Sequence, residues 1–192
     1  PEQPVVARAA LHFWEEPCIS GSRGSGAIFF SGCSLGCIYC QNEEISRFGK
    51  GMEITVGRLR EIMQELIDQG AHNINLVNPT HYTVAILEAL QEELPVPVVW
   101  NSSGYEKVES LRRLEGHVSV FLPDLKYSDS KLATRYSNAA DYFETAKQAI
   151  TTMVEMTGRP VFDSNGLLRS GVLIRHLVLP GCEENTRGVI DW

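Results

Sequence analysis

Gly26-Ala27-Ile28-Phe29-Phe30-Ser31-Gly32-Cys33-Ser34-Leu35-Gly36-Cys37-Ile38-Tyr39-Cys40-Gln41-Asn42 joins a short apolar run to three cysteines. Residues 26–30 have the length and apolar content of a buried strand. The cysteines then sit on the loop leaving that strand's C-terminal end, where α/β folds carry their sites. Their spacing is C-x3-C-x2-C. A cysteine-held iron–sulfur cube takes four thiolates. Three leave one metal position open, and an open position is where a ligand reacts. A zinc ion completed by Cys18 or His12 is a second reading, although no further paired cysteine unit is present. Three buried thiols without a ligand are a third. Gly32 and Gly36 are expected to let the backbone fold tightly where a Cβ would crowd a bound group.

Further along the chain, helical and strand periods alternate. Thr55 is placed to cap a helix reaching Gln69, with Val56, Leu59, Ile62, Met63, Leu66 and Ile67 on one stripe and Gly70 as its stop. Residues 73–77 read as a strand, 81–93 as a helix and 98–100 as a strand. A helix over 105–114 and a strand over 118–122 follow. Helices are expected over 130–136 and 140–156, then a small hairpin around Asp163-Ser164-Asn165-Gly166. Residues 172–179 form a last, nearly continuous apolar run, the pattern of a parallel strand buried on both faces. Strands separated by helices predict βαβ units, and hence an α/β fold with a five-stranded parallel sheet. We take residues 1–25 as an N-terminal extension and 26–192 as one domain.

The chain has 192 residues, 43% of them hydrophobic, enough for a single core of useful size. No run approaches the roughly 18 apolar residues of a transmembrane helix. Residues 1–4 have neither the basic nor the apolar region of a signal peptide. Three clustered cysteines among five fit a reducing cytoplasm better than a disulfide framework. The net charge of −7 carries no basic footprint, which argues against a nucleic-acid partner.

The cysteine run, with an aromatic before its last Cys and Gln41-Asn42 after it, resembles the cluster loop of radical S-adenosylmethionine (SAM) enzymes. Further blocks resemble, more narrowly, the uncharacterised homologues of pyruvate formate-lyase activating enzyme. They are Leu11–Gly21, Asn78-Pro79-Thr80-His81-Tyr82, Pro123-Asp124-Leu125-Lys126-Tyr127, and Ile174-Arg175-His176-Leu177-Val178-Leu179-Pro180-Gly181. The likeness runs from Leu11 to Cys182. Where the better-known activating enzymes carry Gly-Gly-Glu, this chain reads Asn78-Pro79-Thr80. The resemblance implies a partial (β/α)6 TIM-like barrel, with this sequence ending near the fifth or sixth unit. It implies a 4Fe-4S cluster on Cys33, Cys37 and Cys40, with SAM as second cofactor. The activity implied is reductive SAM cleavage to a 5'-deoxyadenosyl radical. A flavodoxin or ferredoxin-type protein would donate the electron. The substrate implied is a protein, such as a glycyl radical enzyme, or a peptide, with a small molecule as the alternative. A non-catalytic metal-binding protein is a reading from another class, and polar groups at successive strand ends argue against it.

Those polar groups are the candidate site. Asn101, Ser102 and Ser103 follow the third strand of the pattern, able to bond a ribose or carboxylate or to cap a helix. Asp124 and Lys126 share a face by alternation. The resemblance assigns them to SAM, and a salt bridge between them is the plainer alternative. Arg175 interrupts an apolar run and needs an anion, either the SAM carboxylate or an internal one such as Asp124. By resemblance Tyr39 lies near the adenine, with core packing as its alternative, and Asn78 and Thr80 supply polar SAM contacts. His81 faces substrate or merely follows a capping Thr80. His176 points away from Arg175 and reads as a satisfied core histidine. Cys18 is either a hydrogen-donating thiol or a small buried apolar group. Glu15 and Glu16 line an entry or are surface charge, and Cys182 has no assigned role.

Overall fold

A computed structural model describes residues 3–192. The first strand, β1 (Val5–His12), is followed by the single-turn α1 (Pro17–Ser20) and by β2 (Ser25–Phe30). After the cysteine loop come α2 (Glu43–Ser46), β3 (Met52–Glu53), α3 (Val56–Asp68) and β4 (Ile74–Val77). A 3-10 turn (Thr80–Tyr82) leads into α4 (Thr83–Ala89), then β5 (Val98–Ser102), α5 (Val108–Arg112) and β6 (Val120–Pro123). The chain continues through α6 (Ser130–Ser137), α7 (Tyr142–Thr157), β7 (Val161–Phe162), β8 (Leu168–Val172) and α8 (Glu183–Ile190).

The strands form one open mixed sheet in the order β3-β1-β2-β4-β5-β6-β8-β7. Its centre, β2-β4-β5-β6-β8, is parallel, as the alternation of strands and helices predicts. In-register positions such as Ala27, Asn75 and Val99 share one face, so the strands end together on one side. Antiparallel pairing flanks the centre, with β1 on β2 and β7 on β8.

The core lies mainly between the sheet and its helices. Ile28, Phe30, Ile74, Leu76, Trp100 and Phe121 point outward from the strands onto Leu59, Met63, Ile86, Ala149 and Met153. Each fully buried side chain of that size stabilises the fold by about 1.5–3 kcal/mol. A smaller cluster fills the opposite face, where Ile19 packs on Val99, Val120, Leu122 and Leu168.

Several elements differ from expectation, each for a local reason. Residues 5–12, within the stretch read as an extension, form the strand that covers β2. The helix expected over 81–93 begins as a 3-10 turn and stops at Ala89, before Pro95 and Pro97. The helix expected over 105–114 shortens to five residues. Gly104 at φ +74° turns the chain, and Glu106 is drawn into the interior beside β5. The run 172–179 is not a buried strand. Its ladder ends at Val172 apart from one bridge between Asp124 and Arg175, and Ile174, Leu177 and Val178 are exposed. Beyond Val172 only the β6 side offers a partner among the described residues, so the apolar pattern there is not covered. Thr55 does cap α3, accepting from the Arg58 N–H.

Candidate active site

The cysteine loop leaves the C-terminal end of β2 as expected, and all five cysteines are free. Cys33, Cys37 and Cys40 are each half-buried. Two backbone bonds pin the loop to the end of α6, from Ile38 N–H to the Tyr136 carbonyl (2.9 Å) and from Gly36 N–H to the Ser137 carbonyl (3.5 Å). Each sulfur has a protein donor or hydroxyl beside it. The Leu35 N–H donates to Cys33, the Ser137 hydroxyl donates to Cys37 at 2.8 Å, and Cys40 lies 3.3 Å from the Ser46 hydroxyl. Burial raises the pKa of the Cys37 thiol above its ordinary 9.0.

Among the described residues no three His, Cys, Asp or Glu side chains converge on one ion-sized position. Three soft thiols on one strap, with hydrogen-bond donors at the sulfurs, fit the chemistry of an iron–sulfur group. The zinc alternative loses its proposed fourth ligands. His12 pairs with Ser25 at the opposite end of β2, and Cys18 packs against the inner cluster of Ile19 and Val99. Gly32 is constrained as expected, at φ +92° with the His81 ring where a Cβ would project. A Cβ at Gly36 would meet no protein atom.

Next to this loop, the ends of β5 and β6 and the segment after β8 bring four polar side chains into one group. The Arg175 guanidinium donates from Nε to Asp124 (3.0 Å), from Nη2 to the Asn101 side-chain oxygen (2.6 Å), and from Nη1 to Glu15 (3.2 Å). Lys126 Nζ donates to the other Asp124 oxygen at 2.5 Å, so Asp124 and Lys126 do share a face. Burial works against the Lys126 charge, but Asp124 and the nearby Cys37 outweigh it and leave its pKa raised. Tyr127, the residue after Lys126, reaches Cys37 through the Ser137 hydroxyl, which makes the polar group and the cysteine loop neighbours. Glu15 was not identifiable as part of this group from its position in the sequence. It is nearly buried on Arg175, and desolvation raises its carboxyl pKa despite that cation.

The remaining sequence-predicted residues have internal partners. Asn78, at φ +62°, donates to the Gly32 carbonyl at 2.7 Å. His81 bonds the Ser31 carbonyl at 2.6 Å, so both residues hold the entry to the cysteine loop. The Thr80 hydroxyl donates to Glu106 at 2.8 Å rather than facing the loop. Ser103 is buried and accepts from the Tyr105 N–H, while Ser102 donates to Glu106, so neither caps α5, whose N-cap is Lys107. The Tyr39 hydroxyl lies 2.5 Å from that of Tyr127. His176 bonds the Leu125 carbonyl and Thr186, as a satisfied structural histidine should.

Besides the place of Glu15, sequence reading missed Ser137 and Glu106. Ser137 is separated from Cys37 by 100 positions and carries no motif. Glu106 looks like a surface acid at the start of a helix, yet it is wholly buried among Trp100, Ser102 and Thr80.

A family model described as the radical SAM superfamily matches residues 27–181. An uncharacterized protein of Methanocaldococcus jannaschii is 32% identical over 182 residues, which is 88% of this chain and 48% of that protein. The chain thus spans about half the length of the curated relative it matches. The matched stretch opens in β2, takes in the cysteine loop and the other central strands, and closes after Arg175; the chain belongs to the radical SAM superfamily.

Proposed function

We propose that Cys33, Cys37 and Cys40 hold a 4Fe-4S cluster and that the neighbouring polar group binds SAM, in an activating-enzyme-like protein acting on a protein or peptide. The observation that carries this reading is the convergence of Arg175, Asp124, Asn101 and Lys126 beside the cysteine loop. Cluster and SAM together supply the reductive cleavage that releases a 5'-deoxyadenosyl radical.

The protein's own part is binding and orientation. Arg175 is the cation for the SAM carboxylate, and Glu15 is the internal carboxylate that ligand would compete with. Asp124 and Lys126 are the hydroxyl and carboxylate contacts, with Asn101 and Ser103 beside them. Asn78 and Thr80 form the turn that stands in place of Gly-Gly-Glu, and Tyr39 packs at the adenine side of the loop. The five parallel strands are the corresponding part of a six-unit partial barrel. A flavodoxin or ferredoxin-type donor in the cytoplasm would supply the electron. No helix among the described residues is long and apolar enough to cross a membrane. The Asn78-Pro79-Thr80 departure favours a substrate other than pyruvate formate-lyase, and a small molecule is the competing class.

The test is anaerobic reconstitution with iron and sulfide, reduction, addition of SAM and assay for 5'-deoxyadenosine. Formation should require each of the three cysteines, with the single alanine variants losing at least about 100-fold, the scale of an essential catalytic group. A preparation that holds one tight zinc and no cluster would sink the reading. Substrate class is separated by capture. A stable complex with a glycyl radical enzyme supports the activating role, whereas a small product labelled from substrate hydrogen refutes it.

A further inference from the structure

A line of hydroxyl groups ends on the sulfur of Cys37. Ser137 Oγ donates to Cys37 Sγ at 2.8 Å. The Tyr127 hydroxyl lies 2.7 Å from Ser137 Oγ, and the Tyr39 hydroxyl lies 2.5 Å from that of Tyr127. Each hydroxyl has one proton to give. When Cys37 is a thiolate it can only accept, so Ser137 must donate to it. Ser137 is then free to accept from Tyr127, and Tyr127 from Tyr39. The end of the line therefore sets the direction of every bond in it.

The line is also held in place. Ser137 is almost completely buried in the last turn of α6, and Asn138 in the left-handed conformation ends that helix. The Ser137 carbonyl receives the Gly36 N–H, so the same residue grips the loop by backbone and side chain. Tyr127 is fully buried with its ring edge on Tyr142, 5.3 Å between centroids.

We propose that Ser137, oriented by Tyr127 and Tyr39, is a positioning residue that sets the reduction potential of the group held by Cys37. The proposal rests on the cluster reading above. Adding an electron increases the negative charge shared by the sulfurs, and a donor at a sulfur stabilises that charge. The Ser137 hydroxyl therefore favours the reduced state, and aligned hydroxyls strengthen one another.

The test is the midpoint potential of the reconstituted cluster, followed spectroscopically under anaerobic titration, in wild type and in Ser137→Ala, Ser137→Thr and Tyr127→Phe. Iron content is measured for each. Equal loading with a more negative potential in Ser137→Ala is the expected result. The reduced-to-oxidised ratio at a fixed ambient potential should fall about fivefold, as the loss of one hydrogen bond implies. Ser137→Thr, which keeps the hydroxyl, should restore the wild-type value, and Tyr127→Phe should shift it part of the way. Equal loading with unchanged potentials would overturn the proposal while leaving the cluster reading intact. Wild type that binds no cluster would overturn both. If Ser137→Ala does not fold, Tyr127→Phe decides by the same shift.

Discussion

At the scale of single residues, Glu106 best illustrates how context redefines an acid. Its carboxylate accepts from Trp100 Nε1 (2.8 Å), Thr80 (2.8 Å) and Ser102 (2.7 Å), and no cation is among these partners. Desolvation raises its pKa above 4.5, and the three hydrogen bonds pull only partly back. The folded state thus holds this proton more tightly than the unfolded chain. Its contribution to stability is full below pH 4.5 and is lost as pH rises through the elevated folded value. Glu106→Gln removes that titration. The stability gap between wild type and this variant, from urea midpoints, should be largest near pH 4 and shrink as pH rises. Glu106→Ala should cost about 3 kcal/mol near pH 4, because three buried donors lose their acceptor, and less as pH rises. A flat gap across that range would mean that the carboxylate is not the buried titrating group.

At the scale of elements, the site depends on how two strand ends approach each other. Gly104 turns the chain just after β5 at φ +74°, and a Cβ there would collide with the Asp124 backbone carbonyl. The Tyr142 hydroxyl lies 2.8 Å from the carbonyls of both Ser103 and Asp124 and receives the Lys126 N–H, tying these ends to α7. Gly104→Ala combines a positive-φ penalty with a backbone clash, so it should cost more than about 3 kcal/mol. Thermal unfolding checks this, and a shift no larger than for an exposed Gly116→Ala control would refute it. The same turn explains why periodicity over 105–114 misleads. Val108, Leu111 and Leu114 keep helical spacing, but Glu106 belongs to the core beside β5 rather than to the first turn.

At the scale of the whole molecule, protection is concentrated at the centre of the sheet. β4, β5 and β6 are paired on both sides; all three carry the larger apolar cluster, and β5 and β6 carry the smaller one as well. The run from Ile174 to Val178 has one bridge and exposed apolar side chains. Amide hydrogen exchange should be slowest in Ile74–Val77, Val98–Ser102 and Val120–Leu122, and fast in residues 176–179. Comparable protection of residues 176–179 would mean that another surface covers them in solution.

The sequence by itself determined the parallel α/β centre, because strand and helix periods record which faces are buried. It also identified the cysteine loop at a strand end, since three thiols within eight residues need no tertiary information to be seen together. The shared face of Asp124 and Lys126 followed from alternation along the segment after β6. What only the tertiary structure decided were contacts between residues distant in the chain. Arg175 meets Glu15 across 160 positions, and Ser137 meets Cys37 across 100. Local pattern carries burial, whereas the partner of a polar group depends on which strand ends the fold brings side by side. That is why nothing local tied Glu15 to Arg175 or singled out Glu106, and why the apolar run after Val172 reads as buried although no strand covers it.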